Sequence, residues 1–228
     1  MKPFSARAML CLVLAVLIAS PAHARGKKKG MEPKICKRGK LIFEDDFSGR
    51  ELLWTINHPD SCQWKVVKRA LVTESVGSGA KMSITRAFAP AKDIIIELRM
   101  LIPTGAMATV GFRLPEVPTM FISPGSKFSL GNWSAATGVE EYAVSPLPLR
   151  KPKWLSVVYE TIGSQHALSV DGRTITCERS KPENLKCGEV YIGVNKKTSD
   201  IAAIDDVKVY EALPKDEDDD KDKKGKKR

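Results

Sequence analysis

Asp93-Ile-Ile-Ile-Glu-Leu-Arg-Met-Leu101 decides how this chain folds: Ile94, Ile96, Leu98 and Met100 fall on one side of an extended backbone, with Glu97 and Arg99 on the other. Side chains that alternate with a period of two belong to a strand with one buried face; a helix would need a period of 3.6. Met107-Ala-Thr-Val-Gly-Phe-Arg-Leu114 repeats the pattern, with Ala108, Val110, Phe112 and Leu114 inward and Thr109 and Arg113 outward.

Working outward from these two runs, further short strand-like runs cover residues 63–67, 70–73, 81–85, 120–122, 127–130, 139–144, 154–161, 167–170, 190–194 and 201–210, with Gly, Pro, Asn and Asp between them. Val170-Asp-Gly-Arg173 is the clearest turn, because Asp-Gly between strand residues favours the tight hairpin that needs positive φ. No segment has the periodicity of a long amphipathic helix. An all-β, two-sheet antiparallel jelly-roll sandwich is the architecture that buries so many half-apolar strands.

The ends differ in kind from the middle. Lys2 and Arg7 flank an apolar run from Met9 to Ala19 that closes on Ala22-His-Ala24, the pattern of a signal peptide cut after Ala24. That run is shorter than the roughly 20 residues a membrane span requires, so the expectation is an exported protein, secreted or periplasmic, without a transmembrane segment. Residues 25–40 hold eight basic side chains and one acidic, and read as a basic disordered arm. Residues 214–228 hold seven basic and six acidic, and read as a charged disordered tail. The domain proper is expected over residues 41–213.

Once leader and tails are set apart, the +10 formal charge of the chain leaves a neutral domain. A neutral domain lacks the electrostatic footprint for a phosphate backbone, which argues against specific nucleic-acid binding. The basic arm is the part suited to anionic surfaces, or else only a solubilising tail.

Four cysteines remain after the leader: Cys36, Cys62, Cys177 and Cys187. An even set in an oxidising compartment points to disulfides. Of the three possible pairings, Cys36–Cys62 with Cys177–Cys187 is preferred, since the second pair brackets a short polar loop between strands. No C-x-x-C or Cys/His cluster points to zinc.

Residues 41–211 resemble the concanavalin A-like lectin/glucanase (laminin G-like) jelly-roll superfamily. Leu41-Ile-Phe-Glu-Asp-Asp-Phe-Ser-Gly49, followed by Trp54 and Trp64-Lys-Val-Val67, looks like its opening strand and turn. Trp154-Leu-Ser-Val-Val-Tyr-Glu160 with Leu168-Ser-Val-Asp-Gly172 is similar to its central strand and hairpin, and Ile204-Asp-Asp-Val-Lys-Val-Tyr-Glu211 to its closing strand. The fold hosts lectins, enzymes and interaction modules alike.

In several branches the resemblance implies a structural calcium ion between first and last strands. Asp205 would stand at the position of its aspartate, with Asp46 from the acidic run Glu44-Asp-Asp46 nearby; the plainer role for these carboxylates is edge-strand and turn charge. The opening also resembles the 3-keto-disaccharide hydrolase family, whose central sugar-facing segments have no counterpart in residues 102–150.

Catalytic patterns are wanting. The Glu-x-Asp-x-Glu strand motif of retaining glycosidases on this scaffold does not occur, and Glu140 and Glu141 are adjacent, so a strand sends them to opposite faces. His58 and His166 lie in no nucleophile or metal motif, and there is no G-x-S-x-G elbow.

Sugar sites on sheets combine aromatic platforms with side chains that hydrogen-bond hydroxyls. The expected ligand-binding set is Glu97, Arg99, Thr109 and Arg113 on one sheet, joined by Asn132, Trp133 and Tyr142. Each also has an ordinary role, as a cross-strand partner or a packed loop residue. Asn132-Trp-Ser134 is in addition a glycosylation sequon, meaningful in a eukaryotic secretory pathway.

The sequence therefore reads as a non-catalytic exported module for a glycan or cell-envelope component. The alternatives are a glycoside-processing hydrolase drawing carboxylates such as Glu97 and Glu141 from separate strands, and an adhesion or protein-interaction module.

Overall fold

In a computed structural model the protein is described over residues 31–215, apart from 50, 58–61, 76–80, 113, 115–116, 124–126, 135, 137, 147, 150–152 and 196–200. The signal-peptide reading, residues 25–30, His58, Arg113 and the tail beyond Lys215 lie outside the described residues.

Fifteen strands and no helix occur among the described residues. They are β1 (Cys36–Asp45), β2 (Thr55–Ile56), β3 (Cys62–Val67), β4 (Ala70–Ser75), β5 (Lys81–Ala91), β6 (Ile94–Leu101), β7 (Met107–Gly111), β8 (Thr119–Ile122), β9 (Phe128–Ser134), β10 (Gly138–Val144), β11 (Trp154–Ile162), β12 (Gln165–Val170), β13 (Arg173–Glu178), β14 (Cys187–Asn195) and β15 (Ala202–Pro214). All pairings are antiparallel.

An eight-stranded back sheet runs β13-β12-β11-β6-β15-β4-β3, with β1 also paired to β15. A seven-stranded front sheet runs β10-β9-β8-β7-β14-β5-β2. The core lies between the two sheets. Ile94, Ile96, Leu98 and Met100 of β6 meet Ala108, Val110 and Phe112 there, as alternation predicts. Asp171 and Gly172 both take positive φ, 49° and 79°, which is the two-residue hairpin the sequence calls for.

Two features differ from the sequence expectation. The domain begins before Leu41: β1 starts at Cys36, and Met31 is already buried. And β6 is buried on both faces, its outer Ile95 and Glu97 included.

One segment explains both. Residues 31–36 cross the outer face of the back sheet, where Met31 and Cys36 pack on Ile95, Val158 and Ala212. The Glu160 carboxylate secures this strap, accepting the backbone N–H groups of Lys34 (2.7 Å), Ile35 (2.8 Å) and Cys36 (3.2 Å). The arm's high charge hid an apolar, hydrogen-bonded anchor within it.

The expected disulfides are not formed: Cys36, Cys177 and Cys187 are free thiols. Cys36 stands opposite Pro214 at one end of β15, while Cys62 stands opposite Ser75, beyond the Thr73–Ala202 pair at the other end. Twelve or more residues at about 3.3 Å each separate those levels, far beyond the reach of a bridge. Cys177 and Cys187 belong to strands of different sheets. The Cys62 side chain lies outside the described residues.

Candidate functional site

Alternation along each front-sheet strand divides its side chains between the core and the outer face. On β14, Val190, Ile192 and Val194 enter the core, leaving Tyr191, Gly193 and Asn195 outward. Register then aligns rows across the sheet. Gly193 stands opposite Thr109 and Ser83, Thr109 opposite Phe121, and Phe121 opposite Ser129. Tyr191 stands opposite Gly111 and Thr85.

These rows form the floor of a groove of about 480 Å³, within the range of small-molecule and sugar pockets. Its walls carry Trp133, Phe121 and Tyr191; its polar atoms come from Ser83, Thr109, Thr119 and Asn195. Trp133 is the most exposed large apolar side chain among the described residues, at 59 %. Beside the groove, on β5 and the residue after β2, Asn57 donates from Nδ2 to Ser83 Oγ (3.1 Å) and accepts from Thr85 Oγ1 (3.4 Å).

Glycines give the groove its depth. A Cβ on Gly193 would stand 2.5 Å from Tyr191 Oη and 2.6 Å from Thr109 Oγ1, so the phenol lies along the strand over the bare glycine. On Gly111 a Cβ would press Thr119 at 3.2 Å.

The predicted ligand set does not converge. Thr109 and Trp133 line the groove. Asn132, half-buried and next to Trp133, points by alternation to the opposite face of β9. Tyr142 sits on edge strand β10, its Oη donating to Glu140 Oε2 (3.1 Å) and its ring under the Arg179 guanidinium at 4.4 Å.

Glu97 and Arg99 belong to the other sheet altogether. Glu97 is 5 % exposed on the back sheet's outer face and accepts from Arg38 Nε at 2.5 Å. Burial raises its carboxyl above the usual range, against the pull of Arg38. Arg99 lies 5.0 Å above the Trp154 ring and 3.5 Å from the Asp205 carboxylate. Periodicity places these side chains on the correct side of β6, but β6 and β7, adjacent in sequence, lie in opposite sheets.

Tyr191, Phe121, Gly193, Thr119, Ser83 and Asn195 escaped the sequence reading. The signal lay in Val190-Tyr-Ile-Gly-Val194 and Met120-Phe-Ile122, which read as continuous buried runs although Tyr191, Gly193 and Phe121 face outward.

The acidic residues proposed for calcium are engaged otherwise. Asp46 accepts from the Ser48 N–H (3.0 Å) and pairs with Arg69, and both hold its carboxyl below the usual range. Asp45 accepts from Phe47 N–H (2.8 Å) and Trp54 Nε1 (3.0 Å). Glu44 pairs with Lys208 at 3.2 Å, and Asp205 accepts from the Asp206 N–H at 2.8 Å as well as facing Arg99. No group of three or more His, Cys, Asp or Glu arranged for a metal ion occurs among the described residues. A hard cation takes six to eight oxygens, whereas Glu44, Asp46 and Asp205 each face a cationic side chain and Asp45 holds two N–H donors.

No family model matches the sequence, and no curated protein matches it. Solved structures do resemble the fold. A Bacillus subtilis protein of unknown function with a galectin-like fold superposes with a TM-score of 0.57 at 13 % identity, over 79 % of this chain and 100 % of its own. The VIP36 exoplasmic/lumenal domain, bound to Ca2+ and Man3GlcNAc, gives 0.57 at 11 % identity, over 82 % and 94 %. The carbohydrate-binding module CBM66 from Bacillus subtilis gives 0.50 at 16 % identity, over 72 % and 99 %. The fold is of the concanavalin A-like type.

Proposed function

We propose that this concanavalin A-like β-sandwich is a non-catalytic, exported glycan-binding module, with the groove on its front sheet as the binding site. The observation that carries the reading is Trp133, held open to solvent at the edge of a groove whose polar atoms are hydroxyls and amides. An exposed indole offers an apolar plane to the C–H face of a sugar ring, and neighbouring hydroxyls exchange hydrogen bonds with its O–H groups. Sugar complexes of a similarly folded domain, VIP36, support the assignment by analogy of fold.

Export rests on the leader-like run before Arg25 and adds a cell-surface or envelope polymer to the candidate ligands. The basic run Arg25-Gly-Lys-Lys-Lys-Gly30 supplies a second contact for anionic surfaces. The non-catalytic reading is supported by the distribution of carboxylates. Hydrolysis of a glycoside uses two of them about 5 to 9.5 Å apart, whereas Glu97 lies on the outer face of the back sheet and Glu141 on edge strand β10 of the front sheet.

The test is a glycan array with the mature protein, followed by thermal unfolding with each hit. A ligand that binds only the folded state raises Tm by mass action, and Trp133→Ala should abolish the shift. Binding that survives Trp133→Ala would place the ligand elsewhere, and an array with no hits would reject the glycan reading.

A further inference from the structure

We propose that the two lysine-rich ends of the chain dock together on an anionic phospholipid bilayer and turn the front-sheet groove away from it; the inference rests on the glycan-binding reading above for what the groove then meets, and adds a second partner on the opposite face.

Both ends leave the domain from one place. Cys36 stands opposite Pro214 in the β1–β15 pair, and Lys215 Nζ donates to the Lys34 carbonyl at 2.5 Å. Arg38 donates to the Met31 carbonyl and, at 3.2 Å, to Glu32 Oε2. The Met31 side chain packs with Ile95 of β6, Val158 of β11 and Ala212 of β15. Met31 and Lys215, the first and last described residues, are therefore both moored on the back-sheet side.

Beyond these moorings the sequence turns cationic. Four of the six residues 25–30 are basic, and so are five of the six residues 223–228; seven of these nine are lysines, with no aromatic residue among them. Lysine is a hydrated point charge suited to a diffuse anionic surface. Bidentate recognition of single phosphates or carboxylates draws instead on arginine, and binding of single-stranded nucleic acid on aromatic stacking. Each lysine within a Debye length of an anionic leaflet adds to the attraction, and two clusters rooted side by side reinforce one another through effective concentration. Six acidic residues among 216–222 oppose it, against ten basic ones in residues 25–30 and 216–228 together. The stretch 216–222 extends to about 25 Å, which carries the last cluster clear of the domain.

The groove opens on the outer face of the other sheet. Met31 sits over the middle strands of the back sheet, with β12 and β13 between it and the edge where β13 abuts β10. Two strands at roughly 4.8 Å and the roughly 10 Å between sheets use up the about 20 Å that six extended residues span, and lead the arm only to edge strand β10. Along the strands the two sites also lie apart. The Ala212 N–H donates to the Asp93 carbonyl, which sets the chain ends at the pole where Ala91 pairs with Cys187, whereas Ser83 and Asn195 of the groove lie toward the opposite ends of β5 and β14. A bilayer held by both clusters faces the back sheet, and the groove faces away.

The experiment sediments the mature protein, residues 25–228, with vesicles of mixed phosphatidylcholine and phosphatidylglycerol and with vesicles of phosphatidylcholine alone. Binding is expected to the mixed vesicles only, fading as salt rises. It should weaken at least tenfold when Lys27→Ser, Lys28→Ser and Lys29→Ser are combined, with Tm unchanged. Acrylamide quenching of Trp133, read as the difference between the parent and Trp133→Phe, should be the same with and without mixed vesicles, and a glycan found on the array should bind the vesicle-bound protein with undiminished affinity. No sedimentation with mixed vesicles, equal sedimentation of the triple variant, or shielding of Trp133 by vesicles overturns the inference. A preference of at least tenfold for a soluble sulfated polysaccharide over the vesicles puts a polymer in place of the bilayer and overturns it as well. Vesicle binding with Trp133 left accessible and no glycan hit upholds the docking and rejects the glycan-binding function.

Discussion

Glu160 and Cys36 stand 124 residues apart in sequence and meet in the protein interior, where Glu160 Oε2 accepts both the Cys36 backbone N–H at 3.2 Å and its thiol at 3.3 Å. The same carboxylate takes the N–H groups of Lys34 and Ile35, so one fully buried side chain serves three successive peptide groups. Glu160→Ala removes all of these acceptors. Orphaned buried donors cost about 1–3 kcal/mol each, but release of the strap to water limits the total, and a loss of about 2–4 kcal/mol is expected. Amide hydrogen exchange should find residues 34–36 protected in the parent protein and unprotected in Glu160→Ala. Retained protection would show that apolar packing alone holds the strap.

His166 is fully buried on β12, with Tyr159 Oη 3.2 Å from Nδ1 and the Arg179 carbonyl 3.3 Å from Nε2. The carbonyl requires the Nε2–H tautomer, leaving Nδ1 to share the Tyr159 hydroxyl proton with the Pro118 carbonyl at 3.0 Å. Burial, aided by nearby Lys181 and Arg179 and opposed by the Arg179 carbonyl and by Asp93, lowers the imidazole pKa to about 4. The unfolded chain therefore binds a proton, near pH 6.5, that the folded one refuses until about pH 4. Stability is fully present above pH 6.5 and declines as pH falls through that window, by on the order of 3 kcal/mol at about 1.4 kcal/mol per pKa unit. Denaturant midpoints from pH 7.5 to 4 should show the decline, and His166→Gln should flatten its part of it.

How far the sequence carries can be judged residue by residue. Ile94 to Met100, Asp171-Gly172 and the Trp154 strand are legible because local sterics and period-two burial dictate them. The strap was not, because its anchor is a single long-range carboxylate and its flanks are made of Lys, Arg and Gly. Of the expected ligand set, Thr109 and Trp133 share the groove and Glu97 and Arg99 do not. Alternation fixes which way a side chain leaves its strand, whereas the sheet that strand joins depends on the turn at Pro103-Thr-Gly105, where Gly105 takes a φ of 78°. Tyr191 and Phe121 were hidden by apolar character, the same property that makes them walls of a sugar-sized groove.

The thiols give a separate test. Burial pushes the Cys187 thiol up to about 11, and it raises Cys36 further with the help of the Glu160 charge. Thiolate is the reactive form, so at pH 8 Cys36 and Cys187 should resist a disulfide reagent in the folded protein and react on unfolding. Half-exposed Cys177 should react first. Peptide mapping after alkylation in denaturant without reductant should show alkyl groups on Cys36, Cys177 and Cys187. Two hydrogens missing from a Cys177–Cys187 peptide pair would establish a bridge there instead.

Lys68 and Arg69 connect β3 to β4 with φ of 49° and 64°, the left-handed region that costs a residue bearing a Cβ about 1–2 kcal/mol and that Asn-Gly tolerates. At the equivalent tight turn between β12 and β13 the chain uses Asp171-Gly172, whose Asp171 Oδ1 also accepts the Ser156 N–H at 2.9 Å. Arg69 offsets part of its strain through the exposed pair with Asp46, a contact worth about 0–1 kcal/mol at the surface. Replacing Lys68-Arg69 with Asn-Gly should thus raise stability by about 0.5–1.5 kcal/mol, read as a higher urea midpoint at unchanged slope. Arg69→Gly alone, which loses the pair but frees the backbone, should fall between. A drop in midpoint for the double substitution would mean that the Asp46 contact, and with it the seating of the turn after β1, outweighs the backbone strain.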